Sequence, residues 1–167
     1  MPEFVAHSEL GKDPALLARI RRGEKVEELF KAQVAERGWT VTDGTIPISA
    51  KVRSSPVPWA VFLRSLPDFR LRRGESECVV DVKSSPAISK ESFGCLRFHE
   101  LLGIPSYVAF IPKGEDRLAL VGVEFMRLET VPGYDLDEQN WMLGTKGGSG
   151  HPWLMINPEP FRWLDEW

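Results

Sequence analysis

The sequence has few of the residues that build disulfide frameworks or zinc sites. Only two of its 167 residues are cysteine and three are histidine. Cys78 and Cys95 fall within predicted core elements, which is typical of buried free thiols in a reducing compartment. None of the histidines has zinc-ligand spacing with either cysteine. We therefore expect a cytoplasmic protein without structural zinc.

Long apolar runs are also missing. The longest, such as residues 59–63 and 107–111, are far too short to cross a bilayer. The first residues show no basic stretch followed by an apolar one, so we expect neither a signal peptide nor a membrane partner. Repeats and low-complexity tracts are absent as well. A chain of 167 residues with 43% apolar content fits one domain with a substantial core.

The sequence also lacks the net positive charge that most DNA-binding domains carry. Its formal net charge is −3. Carboxylates that bind a metal count as negative in this sum, although the bound ion neutralises them. The basic residues are also clustered, at positions 19–25 and again just after Asp68, where Arg70, Arg72 and Arg73 stand. The composition therefore argues only weakly against nucleic-acid binding.

Helical and strand patterns alternate along the first 130 residues. The predicted order is two helices, three strands, a helix and two strands, at residues 14–22, 24–37, 39–42, 68–72, 77–83, 89–102, 106–111 and 117–123. Gly23 is expected to separate the first two helices, and Ser89 to cap the third. This order predicts a mixed α/β domain over residues 1–130, with an insertion at about 44–66.

Residues 131–167 differ from the rest of the chain. They carry four of the six tryptophans, at positions 141, 153, 163 and 167. We expect a strand at 152–156 and a short final helix that begins at Asn157. Apolar residues at this density need a surface to cover them, so this C-terminal extension is predicted to pack on the core or on the partner subunit of a homodimer.

Charged residues stand at the end of a strand that otherwise reads as buried. The run 78–83 is apolar and β-branched, yet it contains Asp81 and Lys83. Buried charges are costly unless they have a compensating role. Residues two apart on a strand share a face, and Asp68 can meet Asp81 across a hairpin. Because Mg²⁺ takes one or two carboxylates together with waters and phosphate oxygens, the two aspartates predict a metal site beside a lysine.

Asp81, Lys83 and three further polar or charged candidates for the site also have plainer interpretations. Asp81 and Lys83 could form a salt bridge on an exposed strand face. Glu27, like its acidic neighbours, could belong to a solvated helix face. Ser84 could simply end a strand in a turn, and Arg97 could be helix surface.

Pro67-Asp68 followed by Asp81-Val82-Lys83 resembles the motif of the Pro-Asp…(Asp/Glu)-X-Lys nuclease superfamily, which includes many restriction enzymes. Gly23-x-x-x-Glu27 and Gly38-Trp39 resemble the first helix of its archaeal Holliday junction resolvase-like branch. The segment from Leu96 to Ala109 is similar to a later part of that branch. The resemblance covers roughly residues 20–125.

The resemblance implies a restriction-endonuclease-like α/β fold, in which an αβββαβ core forms a mixed central sheet flanked by helices. It implies a DNA endonuclease that depends on Mg²⁺ or Mn²⁺. Asp68 and Asp81 are then expected to bind the metal, Glu27 to complete the metal site directly or through water, and Lys83 to assist the attacking water.

Branched DNA is the substrate that the resemblance favours. Contacts to DNA are expected from five residues near the predicted site, namely Arg70, Arg72, Arg73, Ser84 and Arg97. Two alternatives remain open at this point. The chain could be a non-catalytic subunit that uses a nuclease-like fold for DNA binding or assembly, or an exonuclease or defence nuclease of the same fold.

Overall fold

A computed structural model of the protein describes residues 14–84, 87–112, 114–123, 127–130, 153–157 and 162–167. The helices are α1 (Pro14–Glu36), α2 (Ala50–Arg53), α3 (Pro58–Arg64) and α4 (Lys90–Leu101). The strands are β1 (Thr40–Asp43), β2 (Phe69–Arg73), β3 (Ser76–Lys83), β4 (Ala87–Ser89), β5 (Ser106–Phe110), β6 (Ala119–Gly122), β7 (Arg127–Thr130), β8 (Trp153–Asn157) and β9 (Arg162–Trp163). A 3-10 turn, Leu164–Glu166, follows β9.

Six strands form the main sheet in the order β1-β2-β3-β5-β6-β9. The pair β3–β5 is parallel, because α4 carries the chain back across the sheet between them, and the other pairs are antiparallel. Strands β4, β8 and β7 form a second, three-stranded sheet. The predicted αβββαβ order and the mixed sheet flanked by helices are confirmed.

Side chains alternate along β3, so the sheet carries a core on each face. On one face, Val80 and Val82 pack with Val26 and Phe30 of α1. On the other face, Val79 packs with apolar residues of α4 and β5. Burial of each large side chain contributes about 1.5–3 kcal/mol. Asp81 lies between two valines of the first face and therefore points to the α4 face.

The predicted break in the first helix at Gly23 is wrong, since α1 runs through this residue without interruption. A glycine inside a helix costs about 1 kcal/mol relative to alanine. Val26, Phe30 and Val34 follow it at helical spacing, and all three are buried against the sheet. Their burial outweighs the local preference of the glycine. None of the helices in the described part of the chain has the length and apolar content to cross a membrane.

The insertion at 44–66 folds into α2 and α3. Ser49 caps α2 by accepting a hydrogen bond from the Val52 amide at 3.3 Å. The Arg64 side chain donates to two carbonyl oxygens, that of Ser55 in the linker between the helices at 2.6 Å and that of Arg53 at the end of α2 at 3.1 Å. The insertion is thus a small helical unit held together by its own backbone contacts.

The end of the chain joins the main sheet. A strand was expected at 152–156 and is found as β8, but the predicted final helix is wrong at 162–163, where β9 pairs with β6. The Leu164 amide donates to the Leu118 carbonyl at 2.8 Å, and its side chain is fully buried. Trp167 stacks on Trp39 at 4.8 Å between ring centroids. Trp141 lies outside the described residues.

Candidate active site

Asp81 and Lys83 form an ion pair near the end of β3. Asp81 is 2% exposed, and the Lys83 Nζ lies 2.8 Å from its Oδ2. Burial works against the charge on Lys83, but the attraction of Asp81 and Asp68 is stronger and raises the pKa of the lysine. Lys83 is therefore a cation held in place by a buried carboxylate, and not the exposed strand-face pair that was the plainer interpretation.

Asp68 lies beside this pair, immediately before β2. The register pairs Phe69 with Val80, which places Asp68 across the hairpin from Asp81. The Asp68 Oδ2 accepts a hydrogen bond from the Val82 amide at 2.7 Å. Burial and the negative charge of Asp81 raise the pKa of Asp68 to about 8, against the opposing effects of Lys83 and the Val82 amide. The two carboxyls repel one another, and a single lysine does not offset both.

This donor set fits a divalent cation. Asp81 Oδ2 is buried and lies 2.8 Å from the Lys83 ammonium, which is its charge partner. A buried carboxylate next to a second, repelled carboxyl, with a single ammonium between two acids, is the environment that Mg²⁺ or Mn²⁺ would neutralise. Asp68 and Asp81 are the residues that would hold the ion.

Glu27 occupies a less direct position. It lies on α1, where burial raises its pKa, and the charges of Lys83 and Asp81 also act on it. Within the described ranges, no three His, Cys, Asp or Glu side chains converge to hold a metal. Glu27 is therefore within electrostatic range of Asp81 and Lys83 without forming a three-carboxylate cluster with the two aspartates.

Gly44 was not identified from the sequence, although it contacts the backbone of Asp68. Its amide donates to the Asp68 carbonyl at 2.8 Å, and a Cβ at this position would lie 2.2 Å from the Pro67 carbonyl oxygen. A larger residue would therefore displace Pro67 and Asp68. A glycine directly after a strand and at the start of an insertion was the available signal for such a close approach.

The predicted arginine cluster on β2 is divided between the two faces of the sheet. Arg70 and Arg72 share the face of Asp68, and both pair with Glu77, at 3.2 and 3.4 Å. Arg73 instead lies over the Trp39 ring at 4.4 Å from its centroid. Only the first two arginines thus share a sheet face with the candidate site.

Two further residues were predicted to contact DNA. Ser84 directly follows Lys83 and is exposed, and Arg97 is exposed on α4. Neither residue has a side-chain hydrogen bond or ion pair with another described residue. Both are therefore open to a ligand, but the structure alone gives neither a role.

The cysteines are buried free thiols, as predicted. Burial raises the pKa of Cys78 to about 12. Burial and the charge of Asp81 raise the pKa of Cys95 to about 11. Both groups are therefore neutral thiols near pH 7 and are poor nucleophiles.

The chain matches no protein-family model and no curated protein. Among solved structures it is similar to Hjc, a Holliday junction resolvase from the archaeal hyperthermophile Archaeoglobus fulgidus. The TM-score is 0.46 and the sequence identity 17%, over 63% of this chain and 80% of the resolvase chain. The sequence motifs resemble the same branch of proteins. Similarity at this level does not assign an activity.

Proposed function

We propose that this chain is a DNA endonuclease that hydrolyses phosphodiester bonds with Mg²⁺ or Mn²⁺. The observation that carries the proposal is the buried pair of carboxyls, Asp68 and Asp81, with Lys83 as the cation beside them. Two carboxylates and one ammonium would repel a phosphate group. With a divalent cation the same residues form a site that attracts one.

Each side chain of the candidate active site has a separate role in the proposed reaction. A divalent ion held by Asp68 and Asp81 would withdraw charge from the phosphate and lower the pKa of a bound water. The Val82 amide fixes the Asp68 carboxylate in orientation. Asp81 keeps Lys83 charged and in position, so that its ammonium can orient the attacking water or donate to a phosphate oxygen as charge develops. Glu27 can accept a hydrogen bond from water at the margin of the site.

Arg70 and Arg72 are the residues to which we assign contacts with the DNA backbone, because they lie on the face of the sheet that carries Asp68. Such contacts position DNA without reading its sequence. Ser84 and Arg97 are assigned to the same surface. A branched DNA substrate, a homodimeric state and a cytoplasmic location belong to the proposal through the motif resemblance.

Cleavage assays with labelled DNA test the proposal. Linear duplex, single-stranded and four-way-junction DNA are incubated with EDTA, Mg²⁺ or Mn²⁺, and cleavage is expected only with a metal ion. Asp81→Asn should abolish cleavage while leaving DNA binding largely intact, because it removes charge at the ion and no contact to the DNA backbone. Lys83→Ala should lower the rate by about 100-fold or more.

Glu75→Gln is the matched control, since Glu75 is exposed in the β2–β3 turn, away from the site. This variant should cut at the parental rate. Cleavage in excess EDTA, or an Asp81→Asn variant with parental activity, would contradict the proposed chemistry. If the parental protein binds DNA but cuts none of the substrates with either metal, the non-catalytic alternative is correct.

A further inference from the structure

The insertion at 44–66 has a charge unlike the rest of the chain. It contains no Asp or Glu but carries Lys51, Arg53 and Arg64, in a protein whose net charge is −3. Arg64 is used internally, in hydrogen bonds to the end of α2 and to the linker between α2 and α3. Lys51 and Arg53 are exposed, and neither side chain pairs with another described residue. The insertion therefore presents two cations to solvent with no anion of its own.

Three exposed aromatic rings lie on α3 and α4, and α3 contacts α2, the helix that carries Lys51 and Arg53. We call these rings the aromatic surface: Trp59, Phe62 and Phe98. Trp59 is 58% exposed, Phe62 36% and Phe98 45%. Trp59 and Phe62 are three residues apart on α3 and so share a side of that helix. Phe62 meets Phe98 of α4 edge to face at 5.4 Å between centroids. Contiguous exposed apolar surface is a common feature of binding sites.

The aromatic surface is connected to the candidate active site by short structural links. The chain leaves α3 at Arg64 and reaches Asp68 four residues later. The other end of the insertion is fixed to the same aspartate through the 2.8 Å hydrogen bond from the Gly44 amide. Helix α4 packs on the sheet face to which Asp81 points, and Cys95, one turn before Phe98, feels the charge of Asp81. The rings and the carboxyls thus share one side of the sheet.

We propose that the aromatic surface stacks on unpaired bases of a DNA substrate, next to the phosphodiester bond that the Asp68–Asp81 site attacks. Aromatic rings bind single-stranded nucleic acid by stacking, because every base has a π-face, and basic residues beside them hold the phosphates. Lys51, Arg53 and Arg97 are the exposed cations available for that role. Bases in an intact duplex are already stacked inside and do not reach Trp59.

This inference rests on the proposed nuclease function and narrows its substrate to DNA with unpaired bases, as at a single strand, a flap or an opened branch point. A protein partner would also cover exposed rings. However, two of the three rings belong to a basic insertion without Asp or Glu, and the phosphates of DNA complement that charge.

Fluorescence anisotropy with labelled oligonucleotides tests the inference, in EDTA so that nothing is cut. The full chain should bind a single strand, or a duplex with an unpaired branch, more tightly than a blunt duplex of equal length. Trp59→Ala should weaken binding to the unpaired substrates by about 5- to 100-fold and leave duplex binding nearly unchanged. Trp59→Phe should recover most of that loss, because a ring that can stack is restored.

Glu75→Gln serves again as the control, since Glu75 is exposed in the β2–β3 turn, outside the insertion and α4. It should bind all three DNAs like the parental protein. Circular dichroism checks that each variant is folded. If Trp59→Ala does not fold, the double variant Lys51→Ala, Arg53→Ala tests the same surface through its phosphate contacts. It should weaken binding to the single strand.

Two results would overturn the inference. One is a folded Trp59→Ala variant that binds the unpaired substrates like the parental protein. If sedimentation also shows that this variant has changed its oligomeric state, the aromatic surface is a protein interface instead. The other is a parental protein with no preference for unpaired DNA. Both are binding measurements without metal, so they are independent of whether the parental protein cuts DNA with Mg²⁺.

Discussion

Raising the pH should destabilise the metal-free protein, because Asp68 then has to lose a proton inside the site. Burial and the charge of Asp81 raise the pKa of Asp68 from its ordinary value of 3.8 to about 8. The folded protein therefore keeps this proton over a pH range in which the unfolded chain has lost it. The stabilising contribution is complete below about pH 4, declines as pH rises, and is gone above about pH 8.

The slope of this decline follows from the shift in pKa. Each pH unit inside the window corresponds to about 1.4 kcal/mol of unfolding free energy. Between about pH 5 and pH 7, the contribution of Asp68 should therefore fall by roughly 3 kcal/mol. Asp68→Asn is the reference, because an amide cannot ionise and its oxygen can still accept the hydrogen bond from the Val82 amide. Asp81→Asn should narrow the pH range over which stability declines, since it removes the second cause of the raised pKa of Asp68.

Urea unfolding, followed by tryptophan fluorescence in EDTA at several pH values, measures this effect. The quantity of interest is the unfolding free energy of the parental protein minus that of Asp68→Asn, in which the titration of all other groups largely cancels. This difference should decrease steadily between about pH 5 and pH 7. A constant difference over that range would refute the reasoning, because it would mean that Asp68 ionises in the folded protein as it does in the unfolded chain.

Two further substitutions test how the fold supports the site. Gly44→Ala should cost about 1–3 kcal/mol of stability and lower the cleavage rate at least several-fold, because the new Cβ would collide with the Pro67 carbonyl oxygen. Gly94→Ala, in the open middle of α4, is the control and should stabilise the protein by about 0.5–1 kcal/mol. Thermal melts and cleavage rates of both variants test this pair. Leu164→Ala should cost about 2–5 kcal/mol in urea unfolding, because it empties a fully buried position, and exposed Leu102→Ala should change little.

Local rules were sufficient to bring the charged residues of the site together. The hairpin between β2 and β3 has a short turn, so its register follows from the sequence, and alternation along a strand puts Asp81 and Lys83 on one face. The same alternation already separates Arg73 from Arg70 and Arg72. That division was therefore available from the sequence and was missed when the three arginines were treated as one cluster.

The features that escaped prediction depend on contacts between distant parts of the chain. Helix α1 continues through Gly23 because its apolar residues are buried against the sheet. Helix propensities describe single residues and do not include the energy of this burial. Strand β9 is two residues long, too short for any hydrophobic period, and it exists because β6 offers it an edge. The aromatic surface is likewise formed only where α3 and α4 meet, so no run of sequence displays it.

The position of β9 at the margin of the sheet also bears on how the protein limits aggregation through strand edges. Without it, the Ala-Leu-Val run of β6 would be a bare, apolar strand edge, which is a template for aggregation. Arg162 and Trp163 pair with Leu120 and Ala119 of that edge. The Arg117 side chain lies over the Trp163 ring at 4.4 Å and donates to Asp165, which places charge next to the pairing strand. A strand of two residues thus shields the first half of the β6 edge and is itself too short to offer a long edge to another chain.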